Sequence, residues 1–252
     1  PDCPLLAAPE ELAELAGLME APMRLEDQDG DHLTLIQQEP LMAVAGIAAR
    51  KKDGETVSGD AGTYFKRGDG TLYVLLCDGM GSGPQANRES SLALRLLEQF
   101  LQAGVETEHA LVTLNSALAL RGEEAGGFTT VDLLQVDLFT GDGVVFKLGA
   151  APTYVRKGGT VRRISGASLP AGLAAEERSA PDRFPIHLSP GDCVLLVSDG
   201  VTGTEDDSWL RERLVKFDQG SPKELARDLI THSPQGATDD STALVIRLEK
   251  RE

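Results

Sequence analysis

One short segment, Leu72–Pro84, limits the folds open to this chain. Apolar residues of strand character run to Asp78, three glycines follow within five residues, and Pro84 suits the first turn of a helix. The segment therefore predicts a strand, a tight loop and a helix start, with a carboxylate at the strand tip. Glycines let the backbone approach a ligand there without a Cβ in the way, but a plain Asp-Gly turn explains the segment equally well.

The residues before this segment predict a β-hairpin. A strand at 63–65 leads to the turn Gly68-Asp69-Gly70, and the chain returns through 71–77. Asp60 lies nine residues before Asp69 and Asp78 nine residues after it, so the two carboxylates should lie side by side. Like charges in that position are unfavourable, and the pairing indicates a compensating cation.

The same strand-to-carboxylate pattern occurs once more, and a fourth aspartate precedes a strand. Asp199 follows the apolar run 193–197, and Asp239 precedes a last strand at 243–248. Four aspartates without a histidine suit hard divalent cations such as Mg²⁺ or Mn²⁺, which prefer oxygen ligands. Two such ions about 3.5–4 Å apart could activate water and clamp a phosphoryl group. Each aspartate taken alone is also explained as an ordinary turn or strand-end residue.

The remaining patterns predict alternating groups of strands and helices. Further strands are expected at 32–37, 41–49, 128–138, 144–148, 153–156 and 160–164, and helices at 9–20, 84–101, 107–120, 205–216 and 222–231. A capping box at Ser221 and Glu224 opens the last helix. Segment 166–186 is predicted to be irregular and 51–56 to be an exposed loop. Asp132 interrupts its apolar strand, and an exposed sheet face accounts for it.

Composition excludes several classes of function. Lys and Arg number 24 against 40 Asp and Glu, a net charge of −16, so neither nucleic acid nor membrane contact is expected from this segment. The three cysteines lack zinc or disulfide spacing and indicate a reducing compartment. The sequence shows no stretch long and apolar enough to span a membrane, and no signal peptide is visible. We expect a cytoplasmic protein. Because the chain starts at Pro1, a membrane tether in an upstream segment stays an open alternative.

Four short motifs, taken together and in order, resemble the metal-dependent protein phosphatases of the PP2C (PPM) family. They are Ser58-Gly59-Asp60, Asp78-Gly79-Met80-Gly81-Ser82-Gly83, Ser198-Asp199-Gly200 and Asp239-Asp240-Ser241-Thr242. The likeness covers about residues 41–248 and is greatest to the phosphatase domains of sporulation stage II protein E (SpoIIE) and its stress-response relatives. Thr129-Thr130 and Gly149-Ala150-Ala151-Pro152 match two further family motifs.

The resemblance implies a site with two Mn²⁺ or Mg²⁺ ions. Asp78 would bridge the ions, Asp199 and Asp239 would complete one site, and Asp60 with the carbonyl of Gly79 would complete the other. Water would attack phosphorus directly, without a phospho-enzyme. The chain departs from the family at two points. No phosphate-binding arginine stands beside Asp60; Arg88, one helical turn past the Asp-Gly loop, is a weak candidate, and a plain surface arginine explains it better. Asp240 replaces a common asparagine.

The resemblance also implies the fold and the function. We expect an α+β fold of two packed antiparallel β-sheets flanked by α-helices, with residues 41–252 as the phosphatase domain and 1–40 as a helix and strand packed on it or leading into it. The implied activity is hydrolysis of protein phosphoserine or phosphothreonine, with a phosphorylated anti-sigma-factor antagonist as substrate in bacterial partner switching.

Three alternatives stay open from the sequence. The chain could be a silent scaffold that binds a phosphoprotein without hydrolysing it. It could also be an enzyme switched on by docking of the helices at 84–101 and 107–120 with the N-terminal helix. The helix at 9–20 is either an ordinary packed helix or a regulatory or dimerising element, and the latter would make a homodimer.

Overall fold

The computed structural model describes residues 14, 17–19, 22–29, 32–120, 127–173, 180–203, 206–218 and 220–251. Most of the helix predicted at 9–20 lies outside these residues, although 14, 17 and 18 are helical. The described strands and helices begin and end as follows: β1 Met23–Asp29, β2 His32–Gln37, β3 Leu41–Arg50, β4 Asp60–Lys66, β5 Thr71–Gly79, α1 Gly83–Gln102, α2 Thr107–Ala119, β6 Thr129–Asp137, β7 Asp142–Leu148, β8 Thr153–Lys157, β9 Thr160–Ile164, β10 Asp182–His187, β11 Cys193–Val197, α3 Asp199–Thr202, α4 Ser208–Lys216, α5 Pro222–Thr231 and β12 Ser241–Lys250.

Two antiparallel five-stranded sheets form the centre of the fold. The first sheet has the order β10-β7-β6-β5-β4 and the second the order β3-β12-β11-β8-β9, while β1 and β2 form a separate hairpin. Every neighbouring pair of strands in the two sheets is antiparallel. The predicted α+β fold with two antiparallel sheets is confirmed.

Alternate residues of β5 explain why its apolar run is continuous. Leu72, Val74 and Leu76 belong to the core between the two sheets, which also contains Leu196 and Leu244 of the second sheet. The intervening Tyr73, Leu75 and Cys77 instead pack with residues of α1 and α2. Both faces of the strand are therefore covered, and each fully buried leucine contributes about 2 kcal/mol through burial of its side chain.

The second sheet is covered in the same way. Leu195 of β11 and Val245 of β12 face outward and pack with Leu214 of α4 and Leu229 of α5. Gly46 of β3 permits the close approach of α5, since a Cβ at that position would lie 2.2 Å from the backbone nitrogen of Lys223. The order of layers is thus helix, sheet, sheet, helix.

Three predictions about secondary structure differ from the structure. Segment 166–186, expected to be irregular, contains most of β10, which pairs along its length with the edge of β7. Pro185 is tolerated because β10 is an edge strand and that residue need not donate to a further neighbour. The helix predicted at 205–216 begins only at Ser208 as α4, and the short α3 precedes it. Ser221 makes no side-chain capping hydrogen bond, so the predicted capping box is absent.

The expectation that Asp132 lies on an exposed sheet face was also wrong. Asp132 is 1% exposed and pairs across the sheet with Lys147, which is fully buried, at an Nζ–Oδ2 distance of 2.9 Å. Thr153 Oγ1 also donates to Asp132 at 2.5 Å, and Lys147 Nζ donates to the carbonyl of Ala151 at 2.6 Å. The ion pair therefore fixes the connection between β7 and β8.

Candidate metal centre

The first two acidic residues come from neighbouring strands of the first sheet. Asp60, at the start of β4, is the direct cross-strand partner of Asp78, near the end of β5. This confirms the register predicted from the hairpin. The Gly79 N–H donates to the carbonyl of Gly59 at 3.3 Å, and Thr129 Oγ1 donates to the carbonyl of Asp78 at 2.7 Å. Hydrogen bonds from both sides therefore fix the backbone at this strand end.

The other two acidic residues lie next to strands of the second sheet. Asp199 follows β11 as the first residue of α3, and Asp239 lies two residues before β12. The Thr242 N–H donates to Ser198 Oγ at 2.8 Å, which joins the two strand ends. A Cβ on Gly200 would lie 1.9 Å from the carbonyl oxygen of Asp240, so a glycine is needed for this approach.

The strand ends of the two sheets converge on one cavity of about 330 Å³. Asp78, Asp199 and Asp239 line it, while Asp60, which is 8% exposed, pairs with Asp78 and is not among the lining residues. The remaining wall includes Lys52, Gly79, Met80, Thr129, Thr130 and Pro170. The four aspartates predicted from the sequence come from four separate segments, and the fold brings them close together.

Burial and mutual repulsion raise the pKa of three of these carboxyl groups, those of Asp60, Asp78 and Asp199. Burial, followed by repulsion from Asp60 and Asp199, raises the pKa of Asp78 to about 9. Burial also raises the pKa of Asp60, to which the charge of Asp240 adds, and the pKa of Asp199, to which the charge of Asp239 adds. The cavity consequently disfavours negative charge unless a cation enters it.

The donor chemistry of the cavity fits a hard divalent cation. Neither carboxylate oxygen of Asp60 has a hydrogen-bond partner in the described part of the chain, and the same is true of Thr242 Oγ1. Buried acceptors without donors are costly, and a bound cation would satisfy them. Within the described ranges, no group of three or more His, Cys, Asp or Glu side chains is already spaced to hold a metal ion. Binding would therefore require the aspartates to draw together.

Gly79 allows α1 to lie directly against the end of β5. A Cβ on Gly79 would lie 2.1 Å from the carbonyl oxygen of Ala86, so any side chain would push α1 away from the cavity. The use of the Gly79 carbonyl as a metal ligand stays a prediction.

The sequence did not predict the contacts that two residues make at this site. Lys52, expected in an exposed loop, is half-buried and lines the cavity. Asp240 accepts hydrogen bonds from the N–H groups of Lys52 at 2.9 Å and Gly59 at 2.8 Å. The adjacent acids Asp239-Asp240 were the available signal. Arg88, the suggested substitute for a phosphate-binding arginine, is exposed on α1 and is not among the residues lining the cavity.

Comparison with known proteins agrees with this architecture. The family model of stage II sporulation protein E (SpoIIE) matches residues 68–249. The stage II sporulation protein E of Priestia megaterium is 30% identical over 213 residues, which are 81% of this chain and 36% of that protein. The chain thus spans about a third of the length of this relative.

Solved structures share the fold. The PP2C phosphatase domain of Bacillus subtilis SpoIIE, solved with a fragment of its regulatory domain, superposes with a TM-score of 0.79 at 25% identity, covering 98% of this chain and 76% of that one. RsbX in complex with magnesium superposes with a TM-score of 0.67 at 18% identity, covering 90% of this chain and all of the other.

Proposed function

This chain belongs to the SpoIIE family and is a phosphatase domain of the PP2C type, and we propose on that premise that it hydrolyses phosphoserine or phosphothreonine on a partner protein with Mn²⁺ or Mg²⁺. One observation carries the proposal: buried Asp60 is paired with half-buried Asp78, and Asp78 lines one cavity with Asp199 and Asp239. A fold that served only to bind would have no need to bury this charge.

Each aspartate has a distinct proposed role in holding the metal. Asp78, whose carboxyl interacts with those of Asp60, Asp199 and Asp239, would be shared between two ions. Asp199 and Asp239 would hold one ion from the second sheet, and Asp60 with the Gly79 carbonyl would hold the other from the first. When bound, such ions supply an activated water and neutralise charge on the phosphoryl group.

The substrate class follows from the open shape of the site and from the family. The cavity lies where strand ends meet at the surface, so a phosphorylated side chain can enter while the rest of its protein stays outside. We propose a phosphorylated antagonist of an anti-sigma factor as that protein. Magnesium in the solved RsbX complex supports the choice of a hard divalent cation.

Substitution of the shared carboxylate tests the proposal. Asp78→Asn should lower Mn²⁺-dependent hydrolysis of para-nitrophenyl phosphate and of a phosphoprotein by at least about a hundredfold. The reason is that metal ions stabilise the charge of the transition state by several kcal/mol. Asp53→Asn, on an exposed loop residue, is the matched control and should keep full activity. Full activity of Asp78→Asn with Mn²⁺ would refute the mechanism, and no turnover of the unmodified protein with any divalent cation would favour a silent phosphoprotein-binding scaffold.

A further inference from the structure

Lys52 stands out among the residues that line the cavity because it is cationic. Its neighbours there include Asp78, Asp199 and Asp239, yet within the described residues it forms no ion pair with any of them. No other lysine or arginine of the described chain lines this cavity. The site therefore combines three acidic residues with one lysine that has no ion-pair partner in the described part of the chain.

The backbone that carries Lys52 is held from the second sheet. The carboxylate of Asp240, 4% exposed, accepts from the Lys52 N–H with one oxygen and from the Gly59 N–H with the other. The Asp53 N–H donates to the carbonyl of Ala237 at 2.9 Å. Three hydrogen bonds thus attach the start and end of this loop to the residues just before β12.

The same loop is also held from the first helix. Ser82 Oγ donates to the carboxylate of Glu55 at 3.0 Å, and Asn87 Nδ2 donates to the carbonyl of Ser58 at 2.8 Å. With both sides attached, the backbone at Lys52 is preorganised, and only its four-carbon side chain has to be ordered on binding.

We propose that Lys52 binds the phosphate group of the substrate in this cavity. An incoming phosphate ester carries negative charge into a site lined by carboxylates, and metal charge is largely offset by the aspartates that hold it. An ammonium has three donors and a full charge, which makes it a natural partner for a phosphate oxygen. Lys52 would supply the contact for which no arginine stands beside Asp60. The inference rests on the proposed phosphatase function.

A different role for Lys52 predicts different behaviour. If its charge only offset repulsion among the aspartates, its removal would make the cavity more negative and Mn²⁺ would bind more tightly, while phosphate binding would be unaffected. If it binds phosphate, its removal weakens phosphate binding most. Metal affinity and phosphate affinity therefore separate the two roles.

A series of variants tests the proposal in the Mn²⁺-loaded protein. The measurements are the inhibition constant of inorganic phosphate, phosphate binding by calorimetry, Mn²⁺ affinity, and KM for para-nitrophenyl phosphate. Lys52→Ala should weaken phosphate binding about tenfold to hundredfold, as expected for one charge-assisted hydrogen bond. Lys52→Arg should restore part of the affinity, and Lys52→Glu should weaken it further through repulsion.

Lys51 provides the matched control. It is exposed, and its ammonium donates to the backbone carbonyl of Glu55, so Lys51→Ala removes the same charge from the same loop outside the cavity. Its phosphate affinity should equal that of the unmodified protein. Urea midpoints establish that each variant is folded.

Two results would overturn the inference: unchanged phosphate affinity in Lys52→Ala, or an equal loss in Lys51→Ala. Both differ from failure of the proposed function, in which the unmodified protein itself shows no metal-dependent turnover. Calorimetry with inorganic phosphate measures the role of Lys52 even in that case.

Discussion

Replacing Asp78 with asparagine should stabilise the metal-free protein, although it abolishes the proposed function. Burial and the neighbouring acids raise the pKa of Asp78 to about 9 in the folded protein, whereas its ordinary value is 3.8. Between these values the folded protein keeps a proton that the unfolded chain has released. The unfolded state therefore becomes relatively more favourable as pH rises through this range, and the metal-free protein loses stability.

The size of this effect follows from proton linkage. One retained proton costs at most about 1.4 kcal/mol of unfolding free energy for each pH unit, or about 2–3 kcal/mol between pH 5 and pH 7. Asparagine resembles the protonated carboxyl in size and has no proton to release. The stability of the Asp78→Asn variant relative to the unmodified protein should consequently grow by about that amount over the same range.

Urea unfolding in the presence of a chelator at pH 5, 6, 7 and 8 measures the difference directly. The exposed Asp53→Asn change supplies the control and should leave the pH dependence as it is. Adding Mn²⁺ at pH 7 should reverse the order, since only the unmodified protein gains stability from the ion. A difference between Asp78→Asn and the unmodified protein that is the same at every pH would refute the argument from buried charge.

Three further outcomes are expected. Binding of Mn²⁺ should release protons near pH 7, because the pKa of Asp78 is raised in the metal-free cavity, and calorimetry in buffers of different ionisation enthalpy counts them; no buffer dependence would contradict this. Lys147→Met should lower the unfolding free energy by about 3–5 kcal/mol in urea titrations, since it leaves buried Asp132 without its counterion; a loss below about 1 kcal/mol would show that the pair is dispensable. Gly79→Ala should displace α1 through contact with Ala86 and weaken Mn²⁺ binding while far-UV circular dichroism stays unchanged; wild-type metal affinity would count against that steric argument.

Local patterns were sufficient for the features that depend on short-range geometry. The pairing of Asp60 with Asp78 followed from a turn of known position and the fixed spacing of an antiparallel hairpin. The ends of α1 and α2 followed from apolar spacing, glycine and proline. The likeness of the four acidic motifs to a known family then linked strand ends that lie far apart in the chain.

Features that depend on distant contacts could not be obtained in this way. The burial of Asp132 depends on Lys147 standing opposite it on the next strand, and a polar residue in an apolar run does not reveal its partner. β10 is ordered by pairing with β7 rather than by its own pattern. Lys52 lines the cavity because Asp240, 188 residues away, holds its backbone, whereas the loop itself looks like any polar turn.

The four aspartates are divided equally between the two sheets: Asp60 and Asp78 lie in strands of the first, whereas Asp199 follows a strand of the second and Asp239 precedes another. Ions held by all four would link the two sheets at the edge where their strand ends meet. The rate of turnover would then depend on how the two sheets are aligned. A protein bound on the outer helices could change that rate by shifting one sheet against the other, without touching the substrate.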